Sequence, residues 1–178
     1  MIKNTLNLFV ISSILIFLFT GCSSKSLYEK FYDIAKDNNI NHKTLIAICK
    51  KESNLKPYVI NVNKSILDIQ RGPHYFTNSI SANLYMDFVL DPLLLNYDIG
   101  MCQINKIHLN RLNLDNDDLL DEEVNIDVAA KIYKWNLKTC NNNIMCALSM
   151  YNTGYKNSTV GMKYARKVLK KRKELFGE

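Results

Sequence analysis

Apolar positions recur every three to four residues over most of this chain, which predicts a mainly helical protein. The first such segment ends at Asn38 and Asn39, and its apolar positions are Leu27, Phe31, Ile34 and Ala35. The second begins at Asn41 or His42, where the Asn side chain can cap free backbone N–H groups. Ser81 can cap a third helix, and further helical segments are predicted over residues 107–114, 124–137 and 145–151 and from residue 159.

The middle of the chain follows a different pattern. Residues 56–77 show no helical period, and their β-branched residues favour a strand at Val59, Ile60 and Val62. The Arg-Gly-Pro sequence at residues 71–73 predicts a turn. Residues 96–105, with Gly100 at their centre, predict a loop or a small hairpin. Together these signals predict a mainly α domain with an irregular or small β middle segment.

The second helix carries an acid in an unusual place. Leu45, Ile48 and Cys49 form an apolar stripe, and Glu52 falls within it, near the end of the helix. Burial disfavours a charged carboxylate, so Glu52 is expected to keep its proton to a higher pH and to be available as a general acid. The alternative is an ordinary helix-end Glu that bends out to solvent.

The last helix is expected to have an apolar and a basic face. It should bury Tyr164, Val168 and Leu175 and present its basic residues elsewhere: Lys163, Arg166, Lys167, Lys170 and Lys173. That basic face either contacts anionic lipid or an acidic wall polymer, or is simply solvated.

The N-terminus is typical of an export signal. Lys3 precedes a mostly apolar run over residues 6–19, which is shorter than the roughly 20 residues of a membrane-spanning helix. The run ends in Phe19-Thr20-Gly21-Cys22, which resembles a bacterial lipobox and implies acylation of Cys22 after removal of residues 1–21. Ser23 resembles a signal for sorting to the outer membrane. An ordinary soluble secreted protein is the alternative.

Composition sets the domain count and the class of partner. The 178 residues, 47% of them hydrophobic, suffice for one well-packed domain. We expect a signal peptide over residues 1–21, a tether over 22–26 and the domain over 27–178. Loss of the signal removes one Lys and no acid, so the net charge falls from +6 to +5. Export argues against nucleic acid as a partner of this basic chain.

The cysteines and histidines indicate disulfides rather than metal. Without Cys22, four cysteines remain, and an even number in an exported chain suggests disulfide bonds. Cys140 and Cys146 flank a polar turn and should form a local bridge, which leaves Cys49 with Cys102. Buried free thiols are the alternative for that second pair. The three His are scattered and no Cys-x-x-Cys occurs, so no metal or cofactor is expected.

Three short segments in order resemble a known family. They are Glu52-Ser53 at a helix end, Gly100-Met101-Cys102-Gln103-Ile104-Asn105, and Ala147-Leu148-Ser149-Met150-Tyr151-Asn152-Thr153-Gly154. A weaker fourth is Tyr164-Ala165-Arg166-Lys167-Val168. Together they resemble the catalytic domain of lytic transglycosylases, the lysozyme-like enzymes that cut bacterial peptidoglycan. The resemblance implies a single lysozyme-like domain, with peptidoglycan glycan strands as the substrate.

The resemblance also implies roles for individual residues. Glu52 corresponds to the family's single catalytic acid. The residues expected to bind substrate or to shape the groove are Ser53, Met101, Gln103, Asn105, Tyr151, Asn152 and Tyr164. In the chemistry of the family, the acid protonates the glycosidic oxygen and then takes a proton from the sugar's own 6-hydroxyl, which closes a 1,6-anhydro ring.

The chain departs from the common family pattern in two respects. Tyr97-Asp98-Ile99 stands where the lead-in is usually Ser-Gly-Ala, and the interval from Glu52 to Gly100 is longer than in many members. Both traits, with Gln-Ile-Asn at residues 103–105 and Tyr-Asn-Thr-Gly at residues 151–154, resemble the small transglycosylases that accompany type IV secretion and conjugation machines, which implies local wall opening and a partner from such a machine. Two other functions stay open. One is a lysozyme-type hydrolase with water as the nucleophile and Asp98 as a second carboxylate, and the other is a noncatalytic wall-binding or scaffold lipoprotein. For each of these functions we expect an exported protein at the periplasmic face of a membrane, as an outer-membrane lipoprotein.

Overall fold

A computed structural model describes residues 24–64 and 69–177. The predicted signal and the lipobox Cys22 lie outside the described residues. Within them the helices are α1 (Leu27–Asp37), α2 (His42–Ser53), α3 (Ser79–Tyr85), α4 (Leu109–Leu112), α5 (Glu122–Thr139), α6 (Ile144–Thr153) and α7 (Thr159–Phe176). The strands are β1 (Val59–Val62), β2 (Gly72–Tyr75), β3 (Tyr97–Ile99) and β4 (Ile104–Asn105). The fold prediction, mainly α with a small β middle, is confirmed.

Helix α2 is the central helix of the core. It begins after Asn41, whose Oδ1 accepts a hydrogen bond from the Thr44 N–H at 2.9 Å. Leu45 through Cys49 are all buried, so nearly the whole circumference of the helix is packed, rather than the single stripe seen in the sequence. The helix ends at Asn54, which adopts the left-handed conformation (φ 63°). Glu52 therefore lies in its last turn, as predicted.

The four strands form one antiparallel sheet in the order β2-β1-β3-β4. Because side chains alternate between the two faces of a strand, the Ile residues of β1, β3 and β4 lie in the core. Asn61, Asp98 and Asn105 lie on the opposite face, in register with one another. The predicted loop or hairpin over residues 96–105 is the β3–β4 hairpin. The predicted turn over residues 71–73 is wrong in part, since Gly72 and Pro73 belong to β2. Proline is tolerated there because β2 is an edge strand.

Two further predictions need correction. Helix α3 begins at Ser79 rather than Ser81, because Asn78 is the residue that caps it, accepting from the Ser81 N–H at 2.9 Å. In α7, Leu175 is 42% exposed instead of buried. Steps of four residues from Tyr164 through Val168 lead to Phe176, which packs partly buried against the core. Leu175 is therefore rotated away from it.

Two disulfide bonds join Cys49 to Cys102 and Cys140 to Cys146. Both predicted pairings are thus confirmed, and the first ties α2 to the β3–β4 hairpin. In residues 24–64 and 69–177, no helix has the length and apolar character needed to cross a membrane. The same residues contain no group of three or more His, Cys, Asp or Glu suited to holding a metal ion.

Candidate active site

A cleft of about 890 Å³ opens between the sheet and α5, and Glu52 lines it. One wall is the polar face of the sheet. The other wall is one face of α5, with lining residues at positions i, i+3, i+4, i+7 and i+8: Val128, Lys131, Ile132, Trp135 and Asn136. Glu52 therefore lies in a cleft with one polar wall and one helical wall.

The carboxylate of Glu52 is only partly exposed, and a tyrosine supports it from the core side. The Tyr164 hydroxyl, on α7, donates a hydrogen bond to Glu52 Oε1 at 2.5 Å. Burial raises the pKa of Glu52 from 4.5 to about 7, although the Tyr164 hydrogen bond and the charge of Lys51 lower it. The negative charge of Asp98 adds to the rise. Glu52 can therefore both give and take a proton near neutral pH.

Helix α7 brings Tyr164 to this position through a close contact with α6. Gly161, one turn before Tyr164, lies against Ser149 of α6. A Cβ at Gly161 would overlap the Ser149 Oγ and lie 2.8 Å from the Ser149 carbonyl oxygen. The small residue thus permits the helix approach that places the tyrosine. Burial raises the pKa of Tyr164 well above its ordinary value, so its hydroxyl stays protonated.

The β3–β4 hairpin is fixed by side chains from elsewhere in the chain. Asn125 of α5 is 1% exposed; its Oδ1 accepts from the Cys102 N–H at 2.8 Å, and its Nδ2 donates to the carbonyls of Ile99 and Leu119. Gly100 (φ 79°) lies directly on Asn125, where a Cβ would overlap the amide. These contacts fix the position of the β3–β4 hairpin relative to α5.

Gln103 and Tyr151, which belong to the family motifs, also hold this hairpin in place. Gln103 has a left-handed backbone (φ 54°), and its Nε2 donates to the carbonyl oxygens of Val59 (3.1 Å) and Gly100 (2.8 Å). The Tyr151 hydroxyl donates to the Cys102 carbonyl at 2.9 Å. Burial raises the pKa of Tyr151 well above its ordinary value, and the charges of Glu52 and Asp98 contribute. Both side chains also line the cleft.

A row of polar side chains crosses the sheet wall. Asp98 on β3 pairs in register with Asn61 on β1 and with Asn105 on β4. Its two carboxylate oxygens accept hydrogen bonds from Asn61 Nδ2 at 3.1 Å and from Asn105 Nδ2 at 2.6 Å. All three residues line the cleft. This second carboxylate is therefore held in place by two amides.

The structure separates the residues expected at the groove into three groups. Glu52 is joined in the cleft lining by Gln103, Asn105, Tyr151 and Asn152. Tyr164 is buried behind the carboxylate that it contacts. Ser53 and Met101, by contrast, are buried and do not line the cleft.

Ser53 and Met101 are buried, so they support the structure of the site rather than contact a ligand in the cleft. Ser53 is 5% exposed and Met101 is 1% exposed. The Ser53 Oγ donates to the Met101 carbonyl at 2.6 Å and accepts from the Lys56 N–H at 3.0 Å. Ser53 thus joins the end of α2 to the hairpin, and the Met101 side chain fills the core.

Several residues of the site are not marked by any of the sequence motifs. Trp135 and Arg111 line the cleft, and Asn125 organises the hairpin, yet none belongs to the recognised motifs. The apolar spacing of α5 was the one available signal for Trp135, because it places residues 128, 132 and 135 on one face. Nothing local marks Asn125, whose three partners lie 6 to 26 residues away.

Comparison with curated proteins and with solved structures finds no match. The family described as "Transglycosylase SLT domain" matches residues 29–174, which is most of the chain. The match spans Glu52, the hairpin, and the α6 and α7 segments that reach the acid. With a buried acid at the floor of a cleft between a small sheet and a helical wall, the chain belongs to the transglycosylase SLT domain family, whose fold is lysozyme-like.

Proposed function

We propose that this protein is a peptidoglycan lytic transglycosylase that cleaves the β-1,4 bond between MurNAc and GlcNAc and leaves a 1,6-anhydro-MurNAc end. The observation that carries the proposal is the state of Glu52. It lines a cleft large enough for a glycan, and burial raises its pKa to about 7. The SLT family match supports lytic transglycosylase activity in general.

The reaction needs one group that acts first as acid and then as base. Protonated Glu52 gives its proton to the glycosidic oxygen as the bond to the muramic C1 breaks, and the neighbouring N-acetyl group supports the positive charge that develops at C1. The resulting Glu52 carboxylate takes the proton of the muramic 6-hydroxyl while that oxygen bonds to C1. The acid is thereby restored and no water is consumed. A pKa near the working pH suits both steps.

The surrounding residues keep this carboxylate in place through the cycle. Tyr164 donates to Glu52 Oε1 in either state of the acid, because a carbonyl-type oxygen and a carboxylate oxygen both accept. The Cys49–Cys102 disulfide and the Tyr151 hydrogen bond hold the hairpin against α2. A fixed acid needs little reorganisation during reaction, which favours catalysis.

The test is digestion of purified murein by the mature chain and by Glu52→Gln, followed by mass spectrometry of the products. We expect muropeptides with anhydro ends, lighter by one water than reducing ends, from the wild type. We expect Glu52→Gln to lose at least about 100-fold in rate, the usual contribution of one acid–base group, while circular dichroism stays unchanged. Full activity of the amide variant would overturn the proposal and favour a noncatalytic wall-binding protein.

A lysozyme-type hydrolase is the second candidate, and the position of Asp98 favours it. Asp98 lines the same cleft and could orient a water in place of the 6-hydroxyl. Under our proposal Asp98→Asn still yields anhydro ends, and the basic limb of its pH–rate profile moves to lower pH, because the Asp98 charge raises the pKa of Glu52. A hydrolase would give reducing ends, and the same substitution would abolish its activity.

We further propose that Cys22 is acylated and holds the enzyme at the periplasmic face of the outer membrane. The lipobox-like sequence at residues 19–22 and Ser23 support this. Cells given labelled palmitate should incorporate label into the wild type but not into Cys22→Ala. Equal label in both proteins would exclude acylation at Cys22.

We also propose that the enzyme opens the wall locally for a secretion or conjugation machine. The Tyr97-Asp98-Ile99 lead-in and the long interval from Glu52 to Gly100 are the features that support it. Deletion of the gene in its host should reduce transfer or secretion while bulk release of anhydro-muropeptides stays near the wild-type level. The opposite pattern would point to general turnover.

A further inference from the structure

The α4–α5 side of the cleft carries two groups for which the acid–base chemistry of Glu52 has no use. Trp135, the only tryptophan of the chain, lies on the cleft face of α5 and is 55% exposed. Arg111, in α4, is also exposed and lines the same cleft. A large aromatic ring left open to water in a cleft is a candidate ligand contact, since burying it would be favourable.

The Arg111 guanidinium is held in position, but no acidic side chain among the described residues neutralises its charge. Its one polar contact among the described residues joins an Nη to His108 Nδ1 at 3.2 Å. Arginine has donors only, so His108 Nδ1 must be the acceptor and the proton of this ring is on Nε2. Burial and the charge of Arg111 lower the pKa of His108, which is therefore neutral near pH 7. Lys131 differs, because Asp127 pairs with it at 2.6 Å.

Because His108 is neutral, its contact with Arg111 leaves the positive charge of the guanidinium available to pair with an anion. Arginine pairs with carboxylates through two parallel N–H donors, and such charge-assisted bonds are among the stronger polar contacts. A glycan of GlcNAc and MurNAc offers no carboxylate once the lactyl group carries a peptide. The peptide stem does carry free carboxylates. The sugar rings in turn present apolar C–H faces that can cover an indole.

We propose that Arg111 and Trp135 form a subsite for peptide-substituted murein, in which Trp135 covers a sugar face and Arg111 pairs with a carboxylate of the stem peptide. This inference rests on the proposed function and names its substrate class more narrowly. The enzyme should therefore prefer glycan strands whose stems carry free carboxylates over strands whose carboxylates are blocked as amides. His108 acts as a positioning residue for Arg111.

The test separates binding from cleavage. Glu52→Gln protein is titrated with three soluble, uncrosslinked ligands. They are glycan chains that bear stems, the same chains after amidase treatment and conversion of the exposed lactyl carboxylates to methylamides, and chains whose stem carboxylates are converted to methylamides. Trp135, as the only tryptophan, reports binding by its fluorescence. We expect a fluorescence change with all three ligands, and a Kd about tenfold lower for the first, as one charge-assisted bond would give.

Variants of Arg111 decide between this subsite and a solvated rim residue. Arg111→Gln should raise the Kd for stem-bearing chains to that of the stripped chains and leave the other two ligands unchanged. His108→Ala should raise the Kd for stem-bearing chains by a smaller factor. His108→Asn keeps an acceptor near the Nδ1 position and should have a Kd close to that of the protein with His108. Arg166→Gln, on the exposed part of α7 outside the cleft lining, is the matched control and should change nothing.

Two results would overturn the subsite. One is an equal Kd for all three ligands, and the other is an Arg111→Gln effect of the same size on each. A failure of the proposed function appears separately, as absence of anhydro products from any chain treated with the wild-type enzyme. Binding selectivity without cleavage would keep the subsite and remove the catalytic proposal.

Discussion

At the scale of single residues, Glu52 shows a conflict between stability and chemistry. A carboxylate against an apolar core is costly when ionised, and that cost is what raises its pKa to about 7. The Tyr164 hydrogen bond offsets part of it. The residue pair therefore sets both the stability of the fold near neutral pH and the pH range of the proposed reaction.

The first prediction concerns the stability of Glu52→Gln. The pKa is 4.5 in the unfolded chain and about 7 in the fold, so the folded protein binds more protons between these values and its stability falls as pH rises through that window. Gln stays neutral throughout. The variant should match the wild type near pH 4 and be more stable by up to about 3 kcal/mol at pH 8.

Urea denaturation of both proteins at several pH values measures this difference. Glu123→Gln, at an exposed position in the first turn of α5, is the control and should show no comparable rise. If Glu52→Gln changed the free energy of unfolding equally at pH 4 and pH 8, the fold would not be raising the pKa of Glu52.

The second prediction concerns Tyr164→Phe. The lost hydroxyl is a group that lowers the pKa of Glu52, so this pKa should rise further. A general acid works while protonated, so the basic limb of the kcat/KM profile should move up by about one pH unit, the size expected for one hydrogen bond to a charged group. Tyr32→Phe, on the exposed face of α1, is the control. A basic limb that stays in place or moves to lower pH would contradict a hydrogen bond from Tyr164 to Glu52.

At the scale of elements, the packing of α7 on α6 decides where Tyr164 lies. Gly161→Ala would drive a methyl group into Ser149, and overpacking of this kind costs about 1 to 3 kcal/mol. We expect that loss of stability by thermal or urea denaturation, with a fall in activity larger than the loss of folded protein explains. Val160→Ala, at the neighbouring exposed position, should change neither by more than about 0.5 kcal/mol.

The attachment of the β3–β4 hairpin to α5 gives the fourth prediction. Asn125→Ala removes three hydrogen bonds from buried backbone groups of Ile99, Cys102 and Leu119. Each unsatisfied buried group costs about 1 to 3 kcal/mol, less where water can enter, so a loss of several kcal/mol is expected in denaturation. Asn110→Ala, at an exposed position of α4, is the control. A loss below about 1 kcal/mol would show that Asn125 is not what holds the hairpin.

At the scale of the whole molecule, the Cys49–Cys102 disulfide joins the two halves of the site. The bridge spans 53 residues of sequence, against 6 for Cys140–Cys146. In the chain-entropy account, removing them costs about 4 and about 2 kcal/mol respectively. The Cys49→Ala/Cys102→Ala protein should also lose activity where it remains folded, because α2 and the hairpin are no longer tied. The Cys140→Ala/Cys146→Ala protein, altered outside the cleft lining, should keep its kcat/KM.

Much of the fold followed from local patterns. Helical spacing located α1, α2, α5, α6 and α7, because each is long enough to show its period and has a cap or stop residue at its ends. Short elements were harder to locate. The sequence predicts a turn at the start of β2 because Gly and Pro normally end a strand, and only the position of β2 at the edge of the sheet explains their presence in it.

The sequence by itself determined the acid, since a Glu within an apolar helical stripe is visible without coordinates, and it determined the order of the motifs and the two cysteine pairs. Only the tertiary structure decided which motif residues reach the cleft. Met101 and Ser53 are buried, whereas Trp135 and Arg111, outside every motif, line the cleft. The reason is physical: a helical period depends on neighbours three or four residues away, but exposure at a cleft depends on which distant elements pack there, and no local pattern records that.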